Sequence, residues 1–339
     1  MQAVVLVGGF GTRLRPLTLR VPKQLLPVGH VPMIERVVAH LGASGVTEVV
    51  LSLGYQPDAF LEQYPDGTCA GVGMRYAVEP EPLDTAGAIA FAAREAGITE
   101  RFVAVNGDVL TSLDVAELWR SHEQRDALAS IALTPVDDPS RYGVVPLDAD
   151  GRVEAFIEKP EPGTAPSNWI NAGTYVLEPD VLERVAPGRK VSIEREVFPE
   201  LVRDGSVFGI QSDCYWIDAG TPDAYLQVHR DLLDGRTGDS VEAVADGAVV
   251  DPGATVERSF VGASSLVADG ATVRGSVLMD GVQVLAGATV VDSVVAAGAV
   301  IGAGSSLSGG TVVGYDEVVP DDTRAEGGRF PGPESWVSA

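Results

Sequence analysis

The sequence predicts an α/β protein in two parts, a doubly wound, Rossmann-like parallel sheet followed by a solenoid of short strands. Three observations lead there. Apolar β-branched runs alternate with runs of helical period over about the first 135 residues, as in a sheet built from βαβ units. After Gly235 the composition changes to Val, Gly, Ala, Ser and Asp, and from Val250 apolar residues recur with a period of 17. At 339 residues the chain also exceeds the size at which a single core keeps growing, so two domains are expected.

AVVLVGG reads as a buried strand closed by glycines that permit a tight turn, and MIERVVAHLGASG as an amphipathic helix. TEVVLSLGY and GMRYAV are the next strands. The helix TAGAIAFAAREAG, the strand RFVAVNGD, the helix LDVAELWRSHEQ and the strand ALASIALTPV complete the alternation. Ligands of such sheets bind beyond the carboxyl ends of the strands, so GGFGTR and NGD are expected to face one crevice. From about Tyr142 the chain becomes strand-rich, through RYGVVPL, RVEAFIEKP, NWINAGTYVLEP and SVFGIQ, interrupted by a helix from Ile193 to Arg203 and closed by the helix TPDAYLQVHRDLL. These strands are expected to carry a second substrate.

In the last third, the trios Val250, Val256, Val261; Val267, Val273, Leu278; Val284, Val290, Val295; and Ile301, Leu307, Val312 follow one another at 17 residues, as do Gly253, Gly270, Gly287 and Gly304. Steps of six, six and five describe a three-sided coil. One coil cannot bury its apolar edge, so the turns must stack. The near-six steps resemble the hexapeptide repeat of left-handed parallel β-helices, and that resemblance supplies the handedness. The expected boundaries are a first domain over 1–234, the β-helix over 235–320 and a C-terminal tail over 321–339.

A formal net charge of −24 argues against a nucleic acid polymer as partner. No stretch reaches the ~18 apolar residues of a membrane span. The N-terminus has no basic region before its first apolar run, so a cytoplasmic location is expected. Cys69 and Cys214 stand far apart without metal-ligand spacing and read as ordinary reduced thiols. Within this acidic chain the first 34 residues hold Arg13, Arg15, Arg20 and Lys23 and no Asp or Glu. A basic, glycine-rich segment after a strand reads as a pocket for a small anion, phosphate first. Only Lys23, Lys159 and Lys190 are lysines, and two of them adjoin proline, where a compact point charge suits a phosphate oxygen. The glycine-rich turn is not a Walker A loop, and Leu14 stands where a dinucleotide fingerprint needs its third glycine.

The combination GGFGTRLRPLT and PKQLLPV, followed in order by EPEPLDTAGAI, VNGD, YGVV, EKP, INAGTYV, SIEREVFPEL and WIDAGTPDAYL, resembles the sugar-phosphate nucleotidyltransferases. With the appended β-helix it looks most like their mannose-1-phosphate guanylyltransferase group. The resemblance implies that Gly8, Gly9, Gly11, Thr12, Arg13, Lys23, Glu79, Pro82, Asp84 and Asp108 bind the nucleotide. It implies that Gly143, Glu158, Lys159 and Asn171 bind the sugar phosphate, that Asp108 and Asp218 hold Mg²⁺, and that Arg13, Lys23, Asp108, Lys159 and Asp218 form the catalytic set. A sugar 1-phosphate is already an anionic nucleophile, since a phosphate monoester has a second pKa of about 6. Positioning and charge neutralisation are therefore the work expected of the protein.

Glu79 stands where thymidylyl-transferring relatives tend to carry Gln. A carboxylate accepts only, which suits guanine's N1–H and amine and favours GTP, with mannose 1-phosphate as acceptor. Two departures point elsewhere. Asp84 replaces a usual glycine, and Gln24 follows Lys23 as in thymidylyltransferases, leaving dTDP-glucose synthesis and transfer to a cyclitol phosphate as alternatives. A catalytically silent, nucleotide-sugar-binding regulatory subunit is the alternative of another class, which the intact charged set opposes. Residues 230–339 contain no histidine, so the β-helix is expected to serve homo-oligomeric assembly or regulation rather than acyl transfer.

Overall fold

The computed structural model describes residues 1–54, 56–239 and 241–336. Tyr55, which ends the expected second strand, and 337–339 of the expected tail lie outside the described residues. The chain divides into two units, one of Met1–Gly9 with Ile34–Trp216 and one of Phe10–Met33 with Ile217–Ala339.

In the first unit the alternation of strands and helices appears as expected: β1 (Gln2–Leu6), α1 (Met33–Ala43), β2 (Glu48–Leu53), α2 (Pro57–Gln63), β3 (Val72–Val78), α3 (Asp84–Ala96), β4 (Phe102–Asn106), α4 (Val115–Glu123) and β5 (Ala129–Pro135). Four of the strands form a parallel core in the order β4-β1-β2-β3, with Leu6 level with both Ser52 and Asn106. Helix α3 is alanine-rich because it lies close over β1, β2 and β3. Ala86, Ile89, Ala90 and Ala93 join Val4, Val50, Ala77, Phe102 and Ala104 in one core. Full burial of a side chain such as Ile89 or Phe102 is worth about 1.5–3 kcal/mol, so this layer fixes where the strands end.

An all-parallel sheet is not what the chain forms. The long strand β6 (Trp169–Leu177) inserts between β4 and β5, antiparallel to both, and β7 (Val207–Gln211) pairs parallel with β5. The mostly apolar nine residues of β6 suit a strand buried on both faces, and such a stretch carries no signal of its direction. Its register with β5 shifts between Asn171 and Tyr175, and before that bulge Ile170 pairs with Thr134 of β5 on one side and, in place of β4, with Val144 of the short strand Gly143–Val144 on the other. The expected helix from Ile193 to Arg203 is also not regular. Residues Ile193–Val197 form a π turn, and only α5 (Phe198–Arg203) is α-helical.

The second unit is built on the solenoid. Three parallel sheets of five strands stack in coils, with Val267, Val284, Ile301 and Val319 facing inward from one side, Val273, Val290 and Leu307 from the second, and Val261, Leu278 and Val295 from the third. The five-residue step has a local cause. Arg258, Gly275 and Asp292 each turn the corner with one residue of positive φ, 46°, 55° and 46°. The hydroxyl of the next residue then bridges the coils, with Ser276 N–H donating to Ser259 Oγ and Ser293 N–H to Ser276 Oγ. In the fourth turn Gly309 and Gly310 together occupy that corner. Val295 is consequently paired with Val313 rather than with Val312, which the 17-residue repeat had selected. Strands Arg324–Glu326 and Arg329–Phe330 continue the same sheets, so the coil runs on to Phe330.

Candidate active site

The carboxyl ends of the first unit's parallel strands bring several expected residues together. Gly107 N–H donates to Leu6 O at 2.8 Å, and a Cβ on Gly107 would lie 2.8 Å from that same oxygen. The Asn106–Asp108 turn is therefore held against the end of β1, and Asp108 and Gly8 both follow the paired residues Leu6 and Asn106 by two positions. Gly9 takes φ 102°, a conformation reserved for glycine, and both glycines are exposed. One strand across, Glu79 begins the loop after β3. Its carboxylate accepts from Ser52 Oγ at 2.9 Å and from Leu83 N–H at 3.0 Å, and Oε1 is 3.8 Å from where a Cβ on Gly8 would stand. Pro82 is exposed in the loop this pair of bonds closes. Ser52 was missed by sequence reasoning. The only available signal was a single hydroxyl in the apolar strand EVVLSL.

Asp84 opens α3 with φ 59°, a left-handed conformation that glycine adopts freely and Asp tolerates, which explains how Asp can occupy a glycine position. Its Oδ1 accepts from Thr85 N–H and its Oδ2 is 3.9 Å from Arg195 Nη2. The next amides of α3, on Ala86 and Gly87, donate to Val191 O, so this helix start is occupied by protein. Thr85 Oγ1 accepts from Ile193 N–H and donates to Glu194, which also receives Ser192 Oγ. The separated motifs LDTAG and SIERE are thus one interlocked structure.

Among the sugar-phosphate candidates, Gly143, Glu158 and Lys159 come together on an antiparallel pair in which Gly143 faces Glu158. A Cβ on Gly143 would lie 2.6 Å from Phe156 Cε1 and 3.2 Å from Glu158 Oε2, so only glycine fits. Lys159 takes φ 48°, is exposed, and reaches Glu158 at 3.1 Å. Asn171 lies next to the strand pair through Ile170 and Val144, but its amide is already engaged with Gly173 N–H at 2.9 Å and Tyr175 Oη at 2.8 Å. That leaves one N–H and one acceptor position on Asn171 for a sugar hydroxyl. Tyr142 and Trp216 meet edge to face beside this group, and the Trp216 indole donates to Ala172 O. Neither aromatic was selected from sequence.

The other expected residues fall in the second unit. Gly11 has φ 58°, and a Cβ there would meet Thr18 Cγ2 at 2.9 Å and Lys23 Cβ at 3.3 Å. Thr18 donates to Gly11 O, and Leu14, fully buried, donates its N–H to the same oxygen, so the residue at the missing-glycine position is the anchor of the turn. Thr12 and Arg13 are exposed on this turn and Lys23 is half-buried. A Cβ on Gly220 would lie 2.7 Å from Arg13 Nη2 and 2.8 Å from Asp218 Oδ1, which places guanidinium and carboxylate side by side over one buried glycine. Asp218 Oδ1 also accepts from Gly220 N–H at 2.9 Å. Gln24 is 1% exposed, and among the described residues no protein group hydrogen-bonds either of its amide atoms.

Among the described residues no group of three or more His, Cys, Asp or Glu gathers to hold a metal ion, and no helix is long and apolar enough to cross a membrane. Asp108 in the first unit and Asp218 in the second each carry a carboxylate, the hard oxygen donor that divalent cations take together with phosphate and water.

An open α/β sheet with glycine turns and acids at its strand ends, joined to a hexapeptide β-helix, defines a nucleotide-handling enzyme fold. The chain belongs to the nucleotidyl transferase family, which it matches over residues 2–235, and residues 224–325 match the GlmU-like C-terminal hexapeptide family. It is 39% identical over 287 residues to the mannose-1-phosphate guanylyltransferase of Mycobacterium tuberculosis, covering 82% of this chain and 79% of that one. It is 40% identical over 272 residues to the probable mannose-1-phosphate guanylyltransferase 1 of Oryza sativa, covering 79% and 74%. The crystal structure of HddC from Yersinia pseudotuberculosis complexed with GMP-PN is similar at 30% identity with a TM-score of 0.58, covering 67% of this chain and 97% of HddC.

Proposed function

We propose that this protein transfers a guanylyl group from GTP to mannose 1-phosphate, giving GDP-mannose and pyrophosphate. The observation that carries the choice of base is Glu79, an acceptor-only carboxylate held at the strand ends by Ser52 and Leu83, as guanine's N1–H and amine require. Relatives named mannose-1-phosphate guanylyltransferases and the HddC complex with GMP-PN support it.

In this reading a sugar-phosphate oxygen attacks the α-phosphorus of GTP, a new P–O bond forms, and the bond from the α-phosphorus to the bridging oxygen breaks as pyrophosphate leaves. The nucleophile is already ionised near neutral pH, so no general base is required. Gly8, Gly9 and Gly11 present backbone N–H groups to the nucleotide, and Arg13 and Lys23 balance the charge of the triphosphate and the departing pyrophosphate. Glu158 and Asn171 bind sugar hydroxyls and Lys159 the sugar phosphate. Asp108 and Asp218 would hold a divalent cation, Mg²⁺ in our reading, which when bound supplies charge neutralisation at the phosphates. The same reading places the protein in the cytoplasm as a homo-oligomer.

The test is pyrophosphate release across five NTPs and several sugar and cyclitol 1-phosphates. We expect GTP with mannose 1-phosphate to be fastest. Turnover with dTTP but not GTP would overturn the base assignment, and no turnover with any pair would overturn the enzyme. Asp108→Ala is expected to reduce kcat by about 100-fold or more with an unchanged circular dichroism spectrum; retained activity would remove Asp108 from the catalytic set.

A further inference from the structure

The segment that holds Arg13 and Lys23 does not belong with the sheet from which it emerges. Phe10–Met33 is part of the second unit, together with α6 (Pro222–Leu233) and the coils. Its own secondary structure is three single 3₁₀ turns and a two-residue hairpin, too little to fix a guanidinium in space. It touches the third sheet of the solenoid at the first strand and again at the corner after the fourth. At one end the His30 ring packs edge-on against Phe260, centroids 5.5 Å apart, and its Nε2 lies 2.8 Å from Glu242 O. Between the ends, Tyr225 of α6 donates to Pro27 O. At that second place the corner after strand Val312–Val313 offers Gly314, Tyr315 and Asp316. The Pro16 ring sits 3.4 Å from where a Cβ on Gly314 would be, and Arg20 Nη1 donates to Asp316 Oδ2 at 2.5 Å.

Helix α6 lies on the coils in the same way. Arg230 reaches Asp292 at 2.6 Å, and Arg258 reaches Asp234, just after the helix, at 2.8 Å. Both carriers of the half-site that meets over Gly220, Arg13 on the segment and Asp218 before α6, are therefore fastened to one scaffold. We infer that the β-helix is the positioning platform of the phosphate clamp, with Arg20, Asp316 and Gly314 as positioning residues that hold Arg13 and Lys23 in register for the phosphates of the nucleotide. The inference rests on the proposed function and adds to the β-helix a role in the reaction itself. A displacement of about 1 Å in such a group costs up to about 100-fold in rate, so modest contacts far from the chemistry suffice.

The test compares full-length Asp316→Asn, Arg20→Ala, Arg20→Lys and Gly314→Val proteins. Asp316 has φ 57°, which Asn also tolerates, so Asp316→Asn changes charge without straining the corner. The pair is exposed, so its loss is expected to raise the KM for GTP by about threefold, less at high salt, with kcat and the KM for mannose 1-phosphate unchanged. Arg20→Ala combined with Asp316→Asn should be no worse than either alone, and Arg20→Lys should restore the wild-type KM. Gly314→Val, whose Cβ would press on Phe330 O at 3.1 Å as well as on Pro16, is expected to raise the GTP KM by about tenfold; should it not fold, the charge variants decide. A second readout needs no turnover. Trypsin should cut after Arg13 and Lys23 faster in Asp316→Asn and Arg20→Ala than in wild type. Unchanged KM and unchanged cleavage overturn the platform, as does an equal rise in both KM values with a lowered melting temperature. If the wild type turns over no substrate pair, the proposed function fails and the trypsin rates alone decide the platform.

Discussion

Glu79 holds two partners before any substrate arrives, and both donate to it, so the carboxylate is fixed in place with its remaining lone pairs free to accept. Glu79→Gln keeps an oxygen for Leu83 N–H but presents an amide donor toward guanine's own donors. It is expected to lower kcat/KM for GTP by about 100-fold and to improve dTTP relative to GTP, measured as the ratio of the two specificity constants; an unchanged ratio would move base recognition elsewhere. The acid was legible from its place before Pro82, whereas Ser52 was not, because a serine on a buried strand looks like core until its partner is known. Gln24 shows the opposite case: the residue stood out in the sequence, but its isolation did not. A buried amide with neither atom bonded by protein costs the folded state about 1–3 kcal/mol. Gln24→Met is expected to raise the stability of the ligand-free protein by about that amount in a denaturant titration, and a lower midpoint would count against it.

At the scale of elements, the join between the start of α3 and the π turn at Ile193–Val197 decides how firmly the Asp84 region is held. Thr85 Oγ1 makes two bonds there, one to a charged acceptor, at 2.7 and 2.8 Å. Thr85→Val keeps the shape and removes both, at an expected cost of about 2–3 kcal/mol by thermal denaturation, since hydrogen bonds to charged groups are worth about 1.5–3 kcal/mol; a loss below about 0.5 kcal/mol would show that Ser192 alone holds Glu194. The sequence displayed both motifs but not their contact, because a pairing of residues 109 positions apart leaves no local periodicity. Strand β6 escaped for a related reason. Its apolar run declared a buried strand, while its antiparallel insertion between β4 and β5 depends on which edges the rest of the sheet leaves open. The π turn was read as ordinary helix because one extra residue in a turn changes the apolar spacing too little to see.

Across the whole molecule, the period of 17 made the solenoid readable, because each coil repeats the environment of the last and the pattern adds up over four turns. A single extra residue at Gly309–Gly310 was enough to misplace the final inward valine by one. The membership of Phe10–Met33 could not be read at all. A loop with no helical or strand period carries no mark of the distant surface it will rest on, and its motifs named only the chemistry. That has a consequence for cutting the chain. A fragment ending at Leu233 would contain every residue carried over from the family motifs, from Gly8 to Asp218, and by motif alone it should be active. The structure leads to the opposite expectation, because His30, Pro16 and Arg20 would lose Phe260, Gly314 and Asp316, and Arg230 of α6 would lose Asp292. Arg13 would then no longer be held over Gly220 beside Asp218. The fragment is expected to show kcat/KM for GTP below about 1% of the full chain in a pyrophosphate-release assay, even where circular dichroism shows its sheet and helices intact. A folded fragment with the full-length KM for GTP would show that the segment holds its own geometry, and that the coils serve only assembly.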